Sequence, residues 1–181
     1  DFWQTHEIPE ALKKVRELAG IAEMIGPTEI ERCGQIDRGD YRLEKLILRR
    51  DGEVAVPALL ARATPTVKKS PVVLFVDGAG KAFGAYPGGP VEKLVRSGKT
   101  VLSLDLRGFG ETSDPPNPII YVAGDHRPAM WSMHLGKSLL GQRVEDIMAA
   151  LACVPRLMEM EGTMKVDLVG VGKAGPVALH A

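Results

Sequence analysis

The chain is poor in cysteine. Cys33 and Cys153 are the two among 181 residues, too few and too far apart for a disulfide framework, so two free thiols are expected. It also lacks an excess of either charge: 23 basic residues are matched by 23 acidic ones, no stretch concentrates Lys and Arg, and no nucleic acid partner is expected. Long apolar runs are missing as well. Ala149 to Val154 is among the longest, far below the roughly 20 residues that cross a bilayer, so no membrane span is expected. The residues from Asp1 onward lack the basic, apolar and small-residue order of a signal peptide. His126 and His134 have no HExxH or other short ligand spacing, which leaves no metal site to expect.

What is present is the make-up of a globular domain, 45% hydrophobic and 25% charged, enough to bury a sizeable core. Ile8, Leu12, Val15 and Leu18 recur at helical spacing, with Pro9 near the start and Gly20 past the end, and predict an amphipathic helix. Leu43 to Ala63 reads as two antiparallel strands split by Asp51-Gly52, a dipeptide suited to a tight turn. Pro57 cannot donate to a ladder and predicts an edge position for the second strand.

After Ser70 the pattern changes. Val72 to Val76 is a continuous apolar run, as in a strand buried on both faces of a parallel sheet. A glycine-rich stretch from Gly78 to Gly89 leads into a helical segment around Val91, Leu94 and Val95. A strand follows at Thr100 to Leu106, then an irregular segment with Pro115, Pro116, Pro118 and Pro128. Leu140, Val144, Ile147, Leu151 and Val154 mark a helix, and Lys165 to Val171 another buried strand. The alternation predicts an α/β fold, a three-layer αβα sandwich whose mostly parallel sheet carries an N-terminal antiparallel hairpin. Residues 1–40 read as an N-terminal helical extension and 41–181 as the domain proper.

Three stretches in order carry a resemblance. Asp77-Gly78-Ala79-Gly80 follows the first buried strand. Asp105-Leu106-Arg107-Gly108-Phe109-Gly110-Glu111-Thr112-Ser113 has the form D-x-R-G-x-G-x-S after the next. Leu135 to Asp146 opens the long helix. The ordered set resembles the N-terminal half of the α/β-hydrolase superfamily, in its acetyl xylan esterase-like branch, related to dienelactone hydrolases and cephalosporin deacetylases. That resemblance implies a partial α/β-hydrolase fold, deacetylation of carbohydrate esters as the activity of complete members, and an acylated carbohydrate or small ester as ligand. It implies no cofactor.

The resemblance also places a nucleophile elbow, G-x-S-x-G, at Gly170-Val171-Gly172-Lys173-Ala174. Gly172 stands where the serine should be. The backbone N–H groups of Lys173 and Ala79 are implied as the oxyanion hole, and the acid and histidine of the triad would follow Ala181. A glycine cannot attack a carbonyl, so this chain is expected to be catalytically incompetent. Lys173 reads as an exposed lysine at a helix start, His180 as a residue within the helix after the elbow, and Ser113 and Ser138 as structural. The sheet edge after Val171 would be open unless a further half of the molecule or another copy covers it.

Two other readings compete. Gly78-x-Gly80-x-x-x-Gly84 after a buried strand, with Asp105 ending the next, imitates a Rossmann-like NAD(P)-binding fingerprint, and Gly170-x-Gly172-x-x-Gly175 matches the G-x-G-x-x-G spacing. A P-loop fits less well, because Gly172-Lys173-Ala174 lacks the hydroxyl that would ligate magnesium. The third reading is a non-catalytic scaffold or interaction module.

Overall fold

The computed structural model describes residues 7–67, 69–114, 124–162 and 164–181. Helix α1 (Ile8–Ala19) has Pro9 in its first turn and ends at Gly20, as the sequence predicts. Its apolar stripe faces outward, however: Ala11 is buried whereas Ile8, Leu12 and Leu18 are exposed. The helix rests on the body of the molecule through Ala11 and through Arg16, whose guanidinium donates to the Met148 sulfur.

Strand β1 (Glu29–Asp37) lies inside the segment expected to be a helical extension. Nearly all its residues are exposed, so its sequence has no alternation of apolar and polar residues to betray it. It pairs antiparallel with β2 (Tyr41–Arg49), which pairs antiparallel with β3 (Val56–Ala63), the predicted hairpin. The remaining strands are β4 (Val72–Asp77), β5 (Thr100–Leu104) and β6 (Val166–Val171), in a six-stranded sheet of order β1-β2-β3-β5-β4-β6.

The Pro57 expectation is overturned, because β3 is interior, between β2 and β5. The ladder with β5 begins one residue later, at Ala58 opposite Leu104, so the absent N–H lies beyond the ladder's end while the Pro57 carbonyl accepts the Asp105 N–H at 2.9 Å. β4 runs parallel to β5 and to β6, so the αβα sandwich holds a mixed sheet whose parallel part is β5-β4-β6. Helices α2 (Lys81–Gly84) and α3 (Pro90–Arg96) follow β4, α4 (His126–His134) and α5 (Leu139–Leu157) follow β5, and α6 (Gly175–His180) follows β6. Pro128 belongs to α4 rather than to irregular chain; in the first helical turn its missing N–H breaks no bond. Pro115, Pro116 and Pro118 lie outside the described residues.

The sheet is covered on both faces. Leu74, Val76, Leu102 and Leu104 pack with Val144, Ile147, Ala150 and Val154 of α5, and Val73, Phe75 and Val101 pack with Val91 and Val95 of α3. Every residue of β4 is buried, which is why its sequence reads as one apolar run. β6 is only half-buried and pairs with β4 alone among the described strands. Both cysteines are free, and no described helix is long and apolar enough to cross a membrane. Leu74 is fully buried at the centre of the sheet, so Leu74→Ala should cost about 2–5 kcal/mol, read from the urea midpoint.

Candidate active site

Parallel pairing brings the ends of β4, β5 and β6 to one edge of the sheet, at Asp77, Leu104 and Val171. The three loops that follow meet there. Beyond β6 the chain turns at Gly172, whose φ is 59°, passes through one 3-10 turn (Gly172–Ala174) and enters α6. A left-handed residue joining a strand to a helix is the geometry of a nucleophile elbow, and glycine holds it without the steric cost a side chain brings. Gly172 and Lys173 are exposed, and a Cβ on Gly172 would touch nothing within 4 Å.

The loop after β4 is pressed against this turn. Gly78 N–H donates to the Val171 carbonyl at 3.0 Å, and a Cβ on Gly78 would sit 2.8 Å from the Lys173 nitrogen, so only glycine permits the approach. The loop is tightened by Asp77, whose carbonyl accepts Gly80 N–H at 2.9 Å and whose Oδ1 accepts Ala79 N–H at 2.8 Å. Ala79, implied as an oxyanion donor, therefore has its N–H already engaged by the chain's own carboxylate.

The loops after β4 and β5 are joined by Asp105, which is 1% exposed. Its Oδ1 accepts the Lys81 N–H at 2.5 Å, while Oδ2 accepts the Lys81 ammonium at 2.7 Å and the Glu111 N–H at 3.0 Å. Lys81 also pairs with Glu111. Buried and with both oxygens engaged inside the protein, Asp105 is not presented to a ribose hydroxyl, which weakens the acidic member of the dinucleotide fingerprint.

A second buried network fixes the loop after β5 to α5. Arg107 donates to Asp146 through Nε at 3.0 Å and Nη2 at 2.7 Å, to Gln142 at 2.7 Å and to Glu53 at 3.0 Å. Burial opposes the charge, but Asp146 and Glu53 hold the Arg107 guanidinium more firmly protonated than usual. Arg143 donates to the Arg107 carbonyl at 2.9 Å, grips Asp125 through both terminal nitrogens, and lies 4.1 Å over the Phe109 ring. Arg107, Arg143 and Asp146 all lie within the sequence motifs, which predict no partners for them. The available signal was Asp146 itself, an acid set between Val144 and Ile147 on the apolar face of a helix, where a charge must find a counter-ion.

The loop that carries Ala79 thus meets the turn of Gly172 and Lys173 through Gly78, while His180, on α6, has its Nδ1 2.7 Å from the Pro176 carbonyl. His126 and His134 bound α4. Ser138 caps α5, accepting Gly141 N–H at 2.8 Å, and Ser113 donates to the Gly110 carbonyl at 2.7 Å, so both are structural. Among the described residues, no three His, Cys, Asp or Glu side chains converge as a metal site.

The fold is of the α/β-hydrolase type. Solved structures it is similar to include esterases. A Bacteroides fragilis protein assigned as an acetyl xylan esterase superposes with a TM-score of 0.76 at 16% identity, covering 94% of this chain and 48% of that one. An acetyl xylan esterase from Paenibacillus sp. gives 0.62 at 15% identity over 97% and 55%, and a glucuronoyl esterase from Solibacter usitatus gives 0.66 at 16% over 98% and 54%. The chain spans about half the length of these structures, which fits the N-terminal half that the motifs imply. Neither a protein-family model nor a curated protein sequence matches it.

Two outcomes test the site's framework. Asp105→Ala strands a buried lysine, and should cost about 3–5 kcal/mol in denaturant unfolding, with no saturable NAD or NADP binding before or after the change. The hydrogen bonds from Arg143 hold the Asp125 carboxyl below its ordinary value, against the opposing effect of burial. A lowered folded pKa contributes stability above the unfolded value of about 3.9 and loses it as pH falls through the folded value. Asp125→Asn should therefore flatten the decline in urea midpoint between roughly pH 4 and pH 2.

Proposed function

We propose that the chain is a carboxylic ester hydrolase-type half-domain of the acetyl xylan esterase kind, with acylated carbohydrate or a small ester as its ligand class, and that by itself it cleaves nothing. The observation that carries this reading is Gly172 at φ 59°, the elbow backbone without the side chain that would attack. In a serine esterase the elbow hydroxyl forms a bond to the acyl carbon, a histidine takes its proton, and two backbone N–H groups stabilise the oxygen that becomes negative. Here the bond-forming atom is missing. Lys173 offers its N–H at the implied place, but the Ala79 N–H must first leave the Asp77 carboxylate before it can meet an oxyanion. Lys173 is exposed and lacks the desolvated pocket that makes a lysine amine a nucleophile, so it is no substitute for the serine. What supports a role in ligand binding or assembly is the retention of the whole loop framework around an elbow that cannot react.

Incubation with a fluorophosphonate probe should leave the chain unlabelled, and p-nitrophenyl acetate should be hydrolysed no faster than by a surface-matched control protein. Gly172→Ser should fold, losing about 1–2 kcal/mol to the left-handed backbone, and should also stay unlabelled, because among the described residues nothing lies within 4 Å of a Cβ there to take a proton from the new hydroxyl. A stoichiometric adduct on a serine of the unaltered chain would overturn this reading.

A further inference from the structure

The loop after β4 carries two aromatic rings into solvent. Phe83, on α2, is 61% exposed and Tyr86, just beyond it, is 50% exposed. Their ring centroids are 6.1 Å apart with the planes at 61°, an edge-to-face corner in which each ring keeps open surface. The backbone beneath them is firmly held. Tyr86-Pro87-Gly88-Gly89 has the form of a type II turn: Pro87 presets the second position, Gly88 takes φ 79° at the third, and Gly89 N–H donates to the Tyr86 carbonyl at 2.9 Å. A Cβ on Gly89 would sit 3.1 Å from the Tyr86 ring, so the ring lies against backbone that glycine leaves bare. A Cβ on Gly84 would sit 2.7 Å from the Phe75 ring, so α2 lies directly on β4. Phe83 N–H donates to the Gly80 carbonyl at 3.1 Å, and the Lys81 N–H and ammonium are both held by Asp105.

Two large rings left in water on so rigid a loop are not explained by the core, which takes the small Ala85 from between them instead. The same loop begins at Gly78, which touches the turn at Lys173, so rings and turn share one short stretch of chain. The face of an aromatic ring carries partial negative charge. The C–H bonds on the flat side of a pyranose, each next to an electron-withdrawing oxygen, carry partial positive charge and suit that face. An anion finds no free counter-charge here, because Lys81 is bound to Asp105 and Glu111. A platform already fixed in place also binds without first ordering a flexible loop. Of the two ligand classes in the esterase-type reading, on which this inference rests, the rings select carbohydrate over a small ester. We propose that Phe83 and Tyr86 form a sugar-binding platform, with a pyranose face lying in the corner between the rings and the Tyr86 hydroxyl bonded to one of its hydroxyls. It holds the saccharide part of the ligand on the loop that adjoins Gly172.

The test is titration of the whole chain with xylotetraose, an uncharged pyranose oligomer, followed by calorimetry and by NMR of the aromatic ring protons. Triacetin serves as a sugar-free ester and tetramethylammonium as a cation. Saturable xylotetraose binding is expected, with the largest shifts on Phe83 and Tyr86 and little change as salt is added. Phe83→Ala and Tyr86→Ala alter exposed rings and should each weaken binding about fivefold or more. Tyr86→Phe keeps the face, loses the hydroxyl and should weaken it less, by about twofold to threefold. Xylotetraose binding that leaves both rings unshifted, or that is unchanged when both are replaced by alanine, would overturn the platform and leave the esterase-type reading standing. No xylotetraose binding at any concentration would overturn it too, and triacetin shifts at Gly172 and Lys173 would then point to the small-ester class. Tetramethylammonium moving the two rings more strongly than xylotetraose would overturn it in favour of a cation site. A fluorophosphonate adduct on the unaltered chain would instead overturn the catalytically silent reading, with the ring shifts caused by xylotetraose unaffected.

Discussion

The carboxylate of Asp105 is the constraint on which the upper edge of the sheet depends. Three strands can end side by side without their loops acquiring any fixed relation, since loops carry few contacts of their own. Asp105 removes that freedom by accepting from Lys81 in one loop and Glu111 in the next, at a place where no water competes. Once the loop after β4 is fixed, the absence of a side chain on Gly78 lets it lie against Lys173, and the elbow receives its neighbour. Arg107 and Asp146 repeat the device one layer further down, tying the loop after β5 to α5.

This division of labour explains how the turn between β6 and α6 is held with glycine at its apex. The turn is held by the strand pairing of β6, by the Gly78 to Val171 hydrogen bond and by the packing of Ala174 and Val177 beneath it. None of these involves the side chain that would react. Catalytic competence and local structure are carried by different atoms, and a glycine relieves the left-handed strain that a serine would bear.

Much of the parallel part of the fold was legible because it is buried on both faces. β4 and β5 announce themselves as apolar runs, and the glycines at 78 and 172 mark turns, the first leaving no room for a side chain and the second taking a left-handed backbone. The N-terminal part was less legible for the opposite reason. β1 is an exposed edge strand, whose register is set by backbone hydrogen bonding to β2 with almost no help from side-chain pattern, and α1 buries its alanine while its larger apolar residues face out. Pro57 misled because the rule about proline concerns the direction of its missing N–H, which a sequence does not reveal. At the site Asp146 on an apolar helix face signals the need for a counter-ion, yet the identity of its two arginines, and the pairing of Asp105 with Lys81, join residues apart in sequence and have no local signature.

The sharing of Asp146 between Arg50 and Arg107 bears on how such a sequence can drift. A surface ion pair can lose one member at little cost, so each partner is free to change alone. Removing Asp146 would instead leave two guanidiniums without their principal counter-ion in the interior, and removing either arginine would unbalance what remains. The route open to substitution is the exchange of the whole cluster for apolar residues of matching volume, which requires several coordinated changes and so a passage through unstable intermediates. Position by position the surrounding chain can wander until pairwise identity nears the level of chance, while this small set is kinetically trapped. A fold can then remain traceable through a handful of charged residues that take no part in any reaction.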